Sequence, residues 1–100
     1  MIYCFDIDGT LCSKTDGRYE EAEPYLQRIA VVNALYDMGH TIKLFTARGT
    51  VTGIDWRDLT VRQLSDWQVK HHQLLFGKPE ADVFIDDRAI NADSWPWDGR

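Results

Sequence analysis

Six polar side chains of this 100-residue chain each follow a short apolar run, and together they could perform phosphoryl chemistry. Oxygen donors without histidine or cysteine favour Mg²⁺ over zinc. A lysine, a hydroxyl and Mg²⁺ form a clamp for a phosphoryl group, and a carboxylate can attack phosphorus to give an aspartyl-phosphate. The pattern therefore predicts magnesium-dependent phosphoryl transfer through an aspartate. In chain order the six residues are Asp6, Asp8, Thr46, Lys78, Asp86 and Asp87.

The first acidic pair has the spacing expected where a strand opens into a loop. Asp6 and Asp8 are two residues apart, so an extended backbone points both carboxylates to one side and Ile7 to the other. Gly9 then allows the positive φ of a tight turn. Two carboxylates this close repel each other unless a cation or a proton joins them. The pair therefore predicts a cation-dependent site.

The elements that must position these residues alternate between a strand period and a helix period. This alternation predicts a parallel sheet with right-handed crossovers, whose ligands bind beyond the carboxyl ends of the strands. Pro24 suits the first turn of one helix, Asp55 can cap the other, and a last helical turn is expected around Ala89. The predicted strands are Ile2–Ile7, Thr41–Thr46, Gln73–Phe76 and Asp82–Ile85, and the predicted helices span residues 24–38 and 55–69.

Composition and charge exclude several classes of function. Hydrophobic residues make up 44% of the chain and charged residues 27%, which is typical of one folded domain over residues 1–100. The net charge is −5 and the basic residues are scattered, so no nucleic-acid partner is expected. Apolar runs such as Ile29–Val32 are far shorter than the about 20 residues of a membrane span, so no membrane partner is expected. The first residues predict no signal peptide, and two cysteines without a disulfide framework predict a cytoplasmic protein.

The ordered motifs resemble those of the haloacid dehalogenase superfamily. Residues 6–10, Asp-Ile-Asp-Gly-Thr, resemble the first motif of that family. Thr46, Lys78 and the pair Asp86-Asp87 resemble its second, third and fourth motifs, in the right order and each after a predicted strand. The resemblance covers nearly the whole chain. It implies a single domain with a small Rossmann-like parallel sheet in the order 4-1-2-3 and helices on both faces.

The resemblance also implies a role for each residue of the first three motifs. Asp6 would attack phosphorus, and Asp8 would protonate the leaving oxygen and then deprotonate the hydrolytic water. Thr46 and Lys78 would hold the phosphoryl oxygens. Within the family, an acid at the position of Asp8 marks phosphatases and phosphomutases rather than dehalogenases.

The metal site is implied by the same resemblance. Mg²⁺ would be held by the carboxylates of Asp6 and Asp86 and by the backbone carbonyl of Asp8. Asp87 would orient Lys78 or a metal-bound water. The implied activity is Mg²⁺-dependent hydrolysis of a phosphomonoester through an aspartyl-phosphate.

The substrate is expected to be a small phosphorylated metabolite bound without a cap domain. The segment Leu11–Glu23 has only 13 residues, too few for a cap. Residues 46–56 resemble minimal family members from sugar and surface-polysaccharide pathways, which implies a sugar phosphate as one candidate. Arg48 could bind this substrate or form a structural ion pair. The candidate contacts for the leaving group are Lys14, Tyr19, Arg48, Thr50, Thr52 and Trp56.

Two other functions fit the same residue types. A response-regulator-like signalling module also places acids, a threonine and a lysine around a phosphorylated aspartate, although its acceptor normally ends the third strand. A phosphotransferase or phosphomutase would pass the phosphoryl group to another hydroxyl, which an open, water-accessible site disfavours.

The last part of the sequence contains two tryptophans where little core remains. Trp95 and Trp97 are candidates for an aromatic contact with a second copy of the chain, which predicts a homo-oligomer. Their alternative is to fold back on a helix of their own chain.

Overall fold

Three parallel strands and two helices form a small α/β fold, which a computed structural model describes over residues 1–98. Neither helix of this part of the chain is long and apolar enough to cross a membrane. The strands are β1 (Ile2–Asp6), β2 (Thr41–Thr46) and β3 (Gln73–Phe76), the helices are α1 (Leu26–Asp37) and α2 (Arg57–Asp66), and 3₁₀ turns cover Tyr19–Glu21 and Ala92–Ser94.

The element bounds follow the hydrophobic periods of the sequence closely. The strands β2 and β3 have the bounds that the sequence predicts, and the other three elements end within three residues of theirs. Both helices begin two residues later than predicted, so Pro24 lies just before α1. The Asp55 carboxylate accepts a hydrogen bond from the backbone N–H of Arg57 at 2.9 Å, and α2 begins there.

The strand order is β1-β2-β3, and both strand pairs are parallel. The register pairs Asp6 with Phe45 and Thr46 with Phe76. Because all three strands end at the same edge, Asp6, Thr46 and the residues that follow Phe76 are brought together there.

The hydrophobic core covers one face of this sheet. Phe5, Ile42 and Leu44 are buried with Ile29 of α1 and Leu64 of α2 in a single cluster. The strands follow one another in a single direction across the sheet, so two right-handed crossovers place both helices on the same face. The opposite face leaves Ile2, Cys4 and Leu75 exposed. Helices on both faces, as predicted, are therefore not found among the described residues.

The predicted fourth strand is the clearest difference between sequence and structure. Residues 82–85 form neither helix nor strand, and Ile85 is 97% exposed. Position 4 of the predicted order 4-1-2-3 is therefore not filled by a described strand, and β1 is an edge strand. A short apolar run such as Val83–Ile85 is an ambiguous signal, because the strand it predicts forms only where the rest of the fold supplies a partner.

The tail folds back on its own chain. The ring of Trp95 lies 5.5 Å from that of Phe5, and the ring of Trp97 lies 5.9 Å from it, measured between centroids. The guanidinium of Arg28 sits 5.0 Å from the Trp97 ring, and Trp97 Nε1 donates to the carbonyl of Ala92 at 2.7 Å. The two half-buried tryptophans therefore pack on their own chain, and the homo-oligomer stays a prediction.

Candidate active site

The carboxylate of Asp6 stands at the carboxyl edge of the sheet beside a lysine and a hydroxyl. Lys78 Nζ lies 3.3 Å from Asp6 Oδ1, and Thr10 Oγ1 donates to Asp6 Oδ2 at 3.3 Å. The side chains of Asp6 and Lys78 are 32% and 22% exposed, so water and small solutes reach this pair. An accessible carboxylate next to an ammonium suits a group that must meet an anionic substrate.

Two backbone features place this pair. Lys78 directly follows the turn after β3, and its N–H donates to the carbonyl of Thr46 at 3.1 Å, which ties it to the end of β2. Gly9 turns the chain after β1 with φ at +84°, as the sequence predicts. A Cβ at position 9 would lie 2.7 Å from Cε of Lys14, so Gly9 also leaves room for this predicted contact of the leaving group.

The carboxylate of Asp8 is held by a buried guanidinium. Arg48 Nε donates to Asp8 Oδ2 at 2.9 Å and Nη2 donates to Asp8 Oδ1 at 3.0 Å, the bidentate geometry of a strong charge-assisted pair. The other side of the guanidinium donates from Nη1 to Thr60 Oγ1 at 3.0 Å and to Gln63 Oε1 at 2.6 Å. The Tyr19 ring covers Arg48, with Cζ 4.7 Å from the ring centroid.

This arrangement decides between the two roles that the sequence left open for Arg48. Its side chain is 0% exposed, and its N–H groups already donate to Asp8, Thr60, Gln63 and, weakly, to Cys12 Sγ at 3.9 Å. A guanidinium has five N–H donors, so none remains for a substrate. Arg48 therefore forms the structural ion pair that the sequence offered as one of its two roles, and its contact with a substrate stays a prediction.

Thr46 lies between the two ion pairs. Its side chain is buried, and its Oγ1 accepts a hydrogen bond from the backbone N–H of Arg48 at 3.1 Å. The hydroxyl proton of Thr46 is not used by that bond and can still be donated. The contact of Thr46 with a phosphoryl oxygen stays a prediction.

Among residues 1–98 the second acidic pair does not group with Asp6 and Asp8 as metal ligands, although the ring of Phe84, two residues before Asp86, lies 4.9 Å from Lys78 Nζ. Asp86 and Asp87 lie in the exposed segment after residue 80, where Asp86 Oδ1 accepts from the backbone N–H of Arg88 at 2.7 Å and Asp87 lies 3.9 Å from the Arg88 side chain. The physical reason is the missing fourth strand, which was to deliver both acids to the sheet edge.

The predicted magnesium site is therefore not assembled. Nowhere in residues 1–98 do three or more histidine, cysteine, aspartate or glutamate side chains group so that they could hold a metal ion. Arg48 engages the carboxylate of Asp8, whereas the predicted ligand at this position is the backbone carbonyl of Asp8, and the Asp6 carboxylate pairs with Lys78. The Mg²⁺ site therefore stays a prediction of the family resemblance.

A depression of about 270 Å³ opens beside the ends of β2 and β3. Arg48, Thr50 and Trp56, three of the predicted contacts of the leaving group, are among the residues that line it, and Thr50 Oγ1 also donates to the carbonyl of Lys78 at 2.8 Å. Gly49 has φ at +81°, and a Cβ there would collide with the carbonyl of Ile54. Thr52 Oγ1 instead accepts from the Ile54 N–H at 3.2 Å in the loop before α2.

Two groups beside Asp8 have perturbed proton affinity. Burial, followed by the charge of Asp8, raises the pKa of the Cys12 thiol to about 12. Burial and the same charge also raise the pKa of Tyr19. Cys12 is therefore a neutral thiol at ordinary pH, and its Sγ donates to Asp8 Oδ1 at 3.5 Å.

Three residues of the site were missing from the sequence-based prediction. Thr10 reaches Asp6, and Thr60 and Gln63 hold Arg48. One signal for them was present, because Thr60 lies four residues before Leu64 on the predicted buried face of the second helix. A polar side chain at a buried helical position requires a partner, although the sequence does not name that partner.

Comparisons with known proteins give a similar fold and no established function. No protein-family profile matches the chain, and no curated protein matches it. The crystal structure of a protein from Vibrio cholerae is similar with a TM-score of 0.83 and 27% identity, over 92% of this chain and 84% of that one. A chain in the structure of a Pnkp1/Rnl/Hen1 complex is similar in fold, with a TM-score of 0.61 and 20% identity, over 86% of this chain and 30% of that one.

Proposed function

We propose that this protein hydrolyses a phosphomonoester, with Asp6 as the nucleophile, in the manner of haloacid dehalogenase phosphatases. The observation that supports the proposal best is the Asp6–Lys78 pair, an accessible carboxylate 3.3 Å from an ammonium at the carboxyl edge of a parallel sheet. Asp8, two residues further on, is a separate carboxylate with its own cation. A nucleophile and a proton-transfer group thus lie on one turn.

The chemistry is a double displacement. An oxygen of Asp6 forms a bond to phosphorus while the bond from phosphorus to the leaving oxygen breaks, and a proton from Asp8 goes to that oxygen. Water then attacks the phosphorus of the aspartyl-phosphate and gives a proton back to Asp8, which releases phosphate and restores Asp6. Lys78 and Thr46 hold the phosphoryl oxygens throughout.

The substrate class is a small phosphorylated metabolite, with a sugar phosphate as one candidate. We assign the leaving group to the depression lined by Thr50 and Trp56, since the Thr50 hydroxyl on its wall donates to the backbone carbonyl of Lys78. A concave site lined by two aromatic side chains, Trp56 and Phe76, and a few polar groups is suited to a small molecule.

The first experiment measures turnover of p-nitrophenyl phosphate by the full chain and by Asp6→Asn. We expect Asp6→Asn to lower kcat by at least about 10³-fold, because the amide cannot attack phosphorus. Asp66→Asn, which changes an exposed acid of α2, is the matched control and keeps its activity. Both variants keep the thermal midpoint of the parent.

Three outcomes would contradict the proposal. Full activity of the Asp6→Asn variant would show that Asp6 is not the nucleophile. One phosphorylation per chain without turnover points to a signalling module, and transfer to an added alcohol in place of water points to a phosphotransferase or phosphomutase.

The proposal has two further parts, both implied by the family resemblance: a requirement for Mg²⁺ and the sheet order 4-1-2-3. We expect a chelator to abolish turnover without unfolding the chain, and Asp86→Ala to raise the Mg²⁺ concentration that gives half-maximal activity. Asp16→Ala, which removes an exposed acid of the Leu11–Glu23 segment, is the control. Full activity in chelator contradicts the magnesium requirement and leaves the role of Asp6 to the first experiment.

A further inference from the structure

The hydrogen bonds around Asp8 treat its two carboxylate oxygens differently. Oδ1 accepts from Arg48 Nη2 at 3.0 Å and from Cys12 Sγ at 3.5 Å. Oδ2 accepts from Arg48 Nε at 2.9 Å, and no second donor reaches it from residues 1–98. A carboxylate oxygen has two lone pairs, so Oδ1 is saturated and Oδ2 keeps one free.

The thiol of Cys12 strengthens this difference. Its single proton has two acceptors within reach, Asp8 Oδ1 at 3.5 Å and the carbonyl of Ile7 at 3.7 Å. The carboxylate is nearer and charged, which makes it the stronger acceptor. Cys12 is fully buried and stays protonated at ordinary pH, since the pKa of its thiol is raised to about 12.

Other residues hold the part of the Arg48 guanidinium that does not contact Asp8. Thr60 and Gln63, one helical turn apart on α2, both accept from Nη1, and Gln63 Nε2 donates to the carbonyl of Tyr19 at 2.6 Å. The Tyr19 ring lies over the guanidinium. The chain thus fixes the position of Asp8 through α2 and the 3₁₀ turn, although neither element contains a proposed reacting group.

We propose, on the basis of the proposed function, that Arg48 is a positioning residue that presents Oδ2 of Asp8 as the oxygen that exchanges the proton. Each cycle begins with Asp8 protonated on the free lone pair of Oδ2. In the first displacement this Oδ2–H bond breaks and its proton joins the leaving oxygen, which keeps the electron pair of the broken P–O bond, and Asp8 becomes a carboxylate. In the second, the attacking water gives a proton to the free lone pair of Oδ2. Oδ1 keeps its two hydrogen bonds in both steps, so the carboxylate does not rotate.

The test compares two substrates that differ in their need for a proton. The alcohol of an alkyl phosphate is a poor leaving group and needs protonation, whereas the p-nitrophenolate of p-nitrophenyl phosphate leaves without it. We measure single-turnover rates of the first displacement for the full chain and for Arg48→Lys, which keeps the charge and loses the bidentate geometry. A merely structural role for Arg48 would slow both substrates alike.

We expect Arg48→Lys to slow the alkyl phosphate about 100-fold and p-nitrophenyl phosphate less than about threefold, because only the former uses the acid. Thr60→Val removes one acceptor of Nη1 and keeps the shape, so it shows the same selectivity at smaller amplitude. Arg62→Lys, at an exposed position of α2, is the control and leaves both rates unchanged.

If Arg48→Lys slows the hydrolysis of both substrates equally, or slows neither, the positioning role of Arg48 is overturned. Should that variant fail to fold, Thr60→Val decides, and the absence of selectivity in it overturns the role as well. Failure of the parent chain to hydrolyse either substrate contradicts the proposed function, and with it this inference.

Discussion

The two ion pairs at the carboxyl edge of the sheet are built in opposite ways. Asp6 and Lys78 make one contact of 3.3 Å, and both side chains are partly exposed. Asp8 and Arg48 make two contacts of 2.9 and 3.0 Å, and the Arg48 side chain is wholly buried. The first pair can open when an anion enters between its members, whereas the second holds its carboxylate in one orientation.

Because of this difference, we expect the buried pair to matter mainly for folding stability and the partly exposed pair mainly for the proposed activity. Removing one partner of a buried pair leaves a charge without compensation, whereas an exposed pair contributes little to folding. The Asp8–Arg48 pair therefore contributes more to the stability of the fold than the partly exposed Asp6–Lys78 pair does. Under the proposed function, we therefore expect a phosphomonoester to separate Lys78 from Asp6 without unfolding the site.

The largest expected effect is a difference in the free energy of unfolding between two variants, one without the Arg48 guanidinium and one without the Lys78 ammonium. Arg48→Met should lower it by about 3 kcal/mol, the lower end for a buried pair because Asp8 is 22% exposed. Lys78→Met should lower it by less than about 1 kcal/mol, because both partners of that pair reach solvent. Urea denaturation measures both values, and equal losses would show that the two pairs do not differ as the geometry indicates.

The second expected effect is on catalysis at the exposed pair. Lys78→Met should lower kcat/KM for p-nitrophenyl phosphate by about 10² to 10³-fold, as the loss of one charge-stabilising donor does. Steady-state kinetics measures this, with Lys70→Met as the control, since Lys70 pairs with Asp37 away from the site. A Lys78→Met variant with unchanged kcat/KM would remove Lys78 from the proposed mechanism.

The smallest expected effect is a pH dependence beside the buried pair. The pKa of Cys12 is raised from 9.0 to about 12 in the folded chain, so the thiol stabilises the fold fully below pH 9. That contribution is lost as the pH rises from about 9 towards 12, because the unfolded chain then releases a proton that the folded chain retains. Thermal midpoints of the parent and of Cys12→Ser, compared from pH 8 to 11, should converge as the pH rises. A constant difference would contradict the burial of this thiol beside Asp8.

Much of the fold and the first half of the site follow from local sequence patterns. The apolar periods place β2 and β3 at their observed bounds, and they place Asp6, Thr46 and Lys78 at strand ends. Parallel strands share one carboxyl edge, so three residues far apart in sequence were predicted to meet, and the structure places them there. These predictions needed only the periodicity of each segment and the general right-handedness of crossover connections.

The partners of each side chain were decided by the tertiary structure alone. From the sequence, Arg48 could either bind a substrate or pair with a carboxylate. The packing of α2 and of the 3₁₀ turn around its guanidinium is what pairs it with the carboxylate of Asp8. The run at 82–85 had the composition of a strand, yet no partner strand pairs with it among the described residues, and Trp95 packs on Phe5 instead. Hydrogen-bond partners and burial depend on residues distant in sequence, so no local pattern determines them.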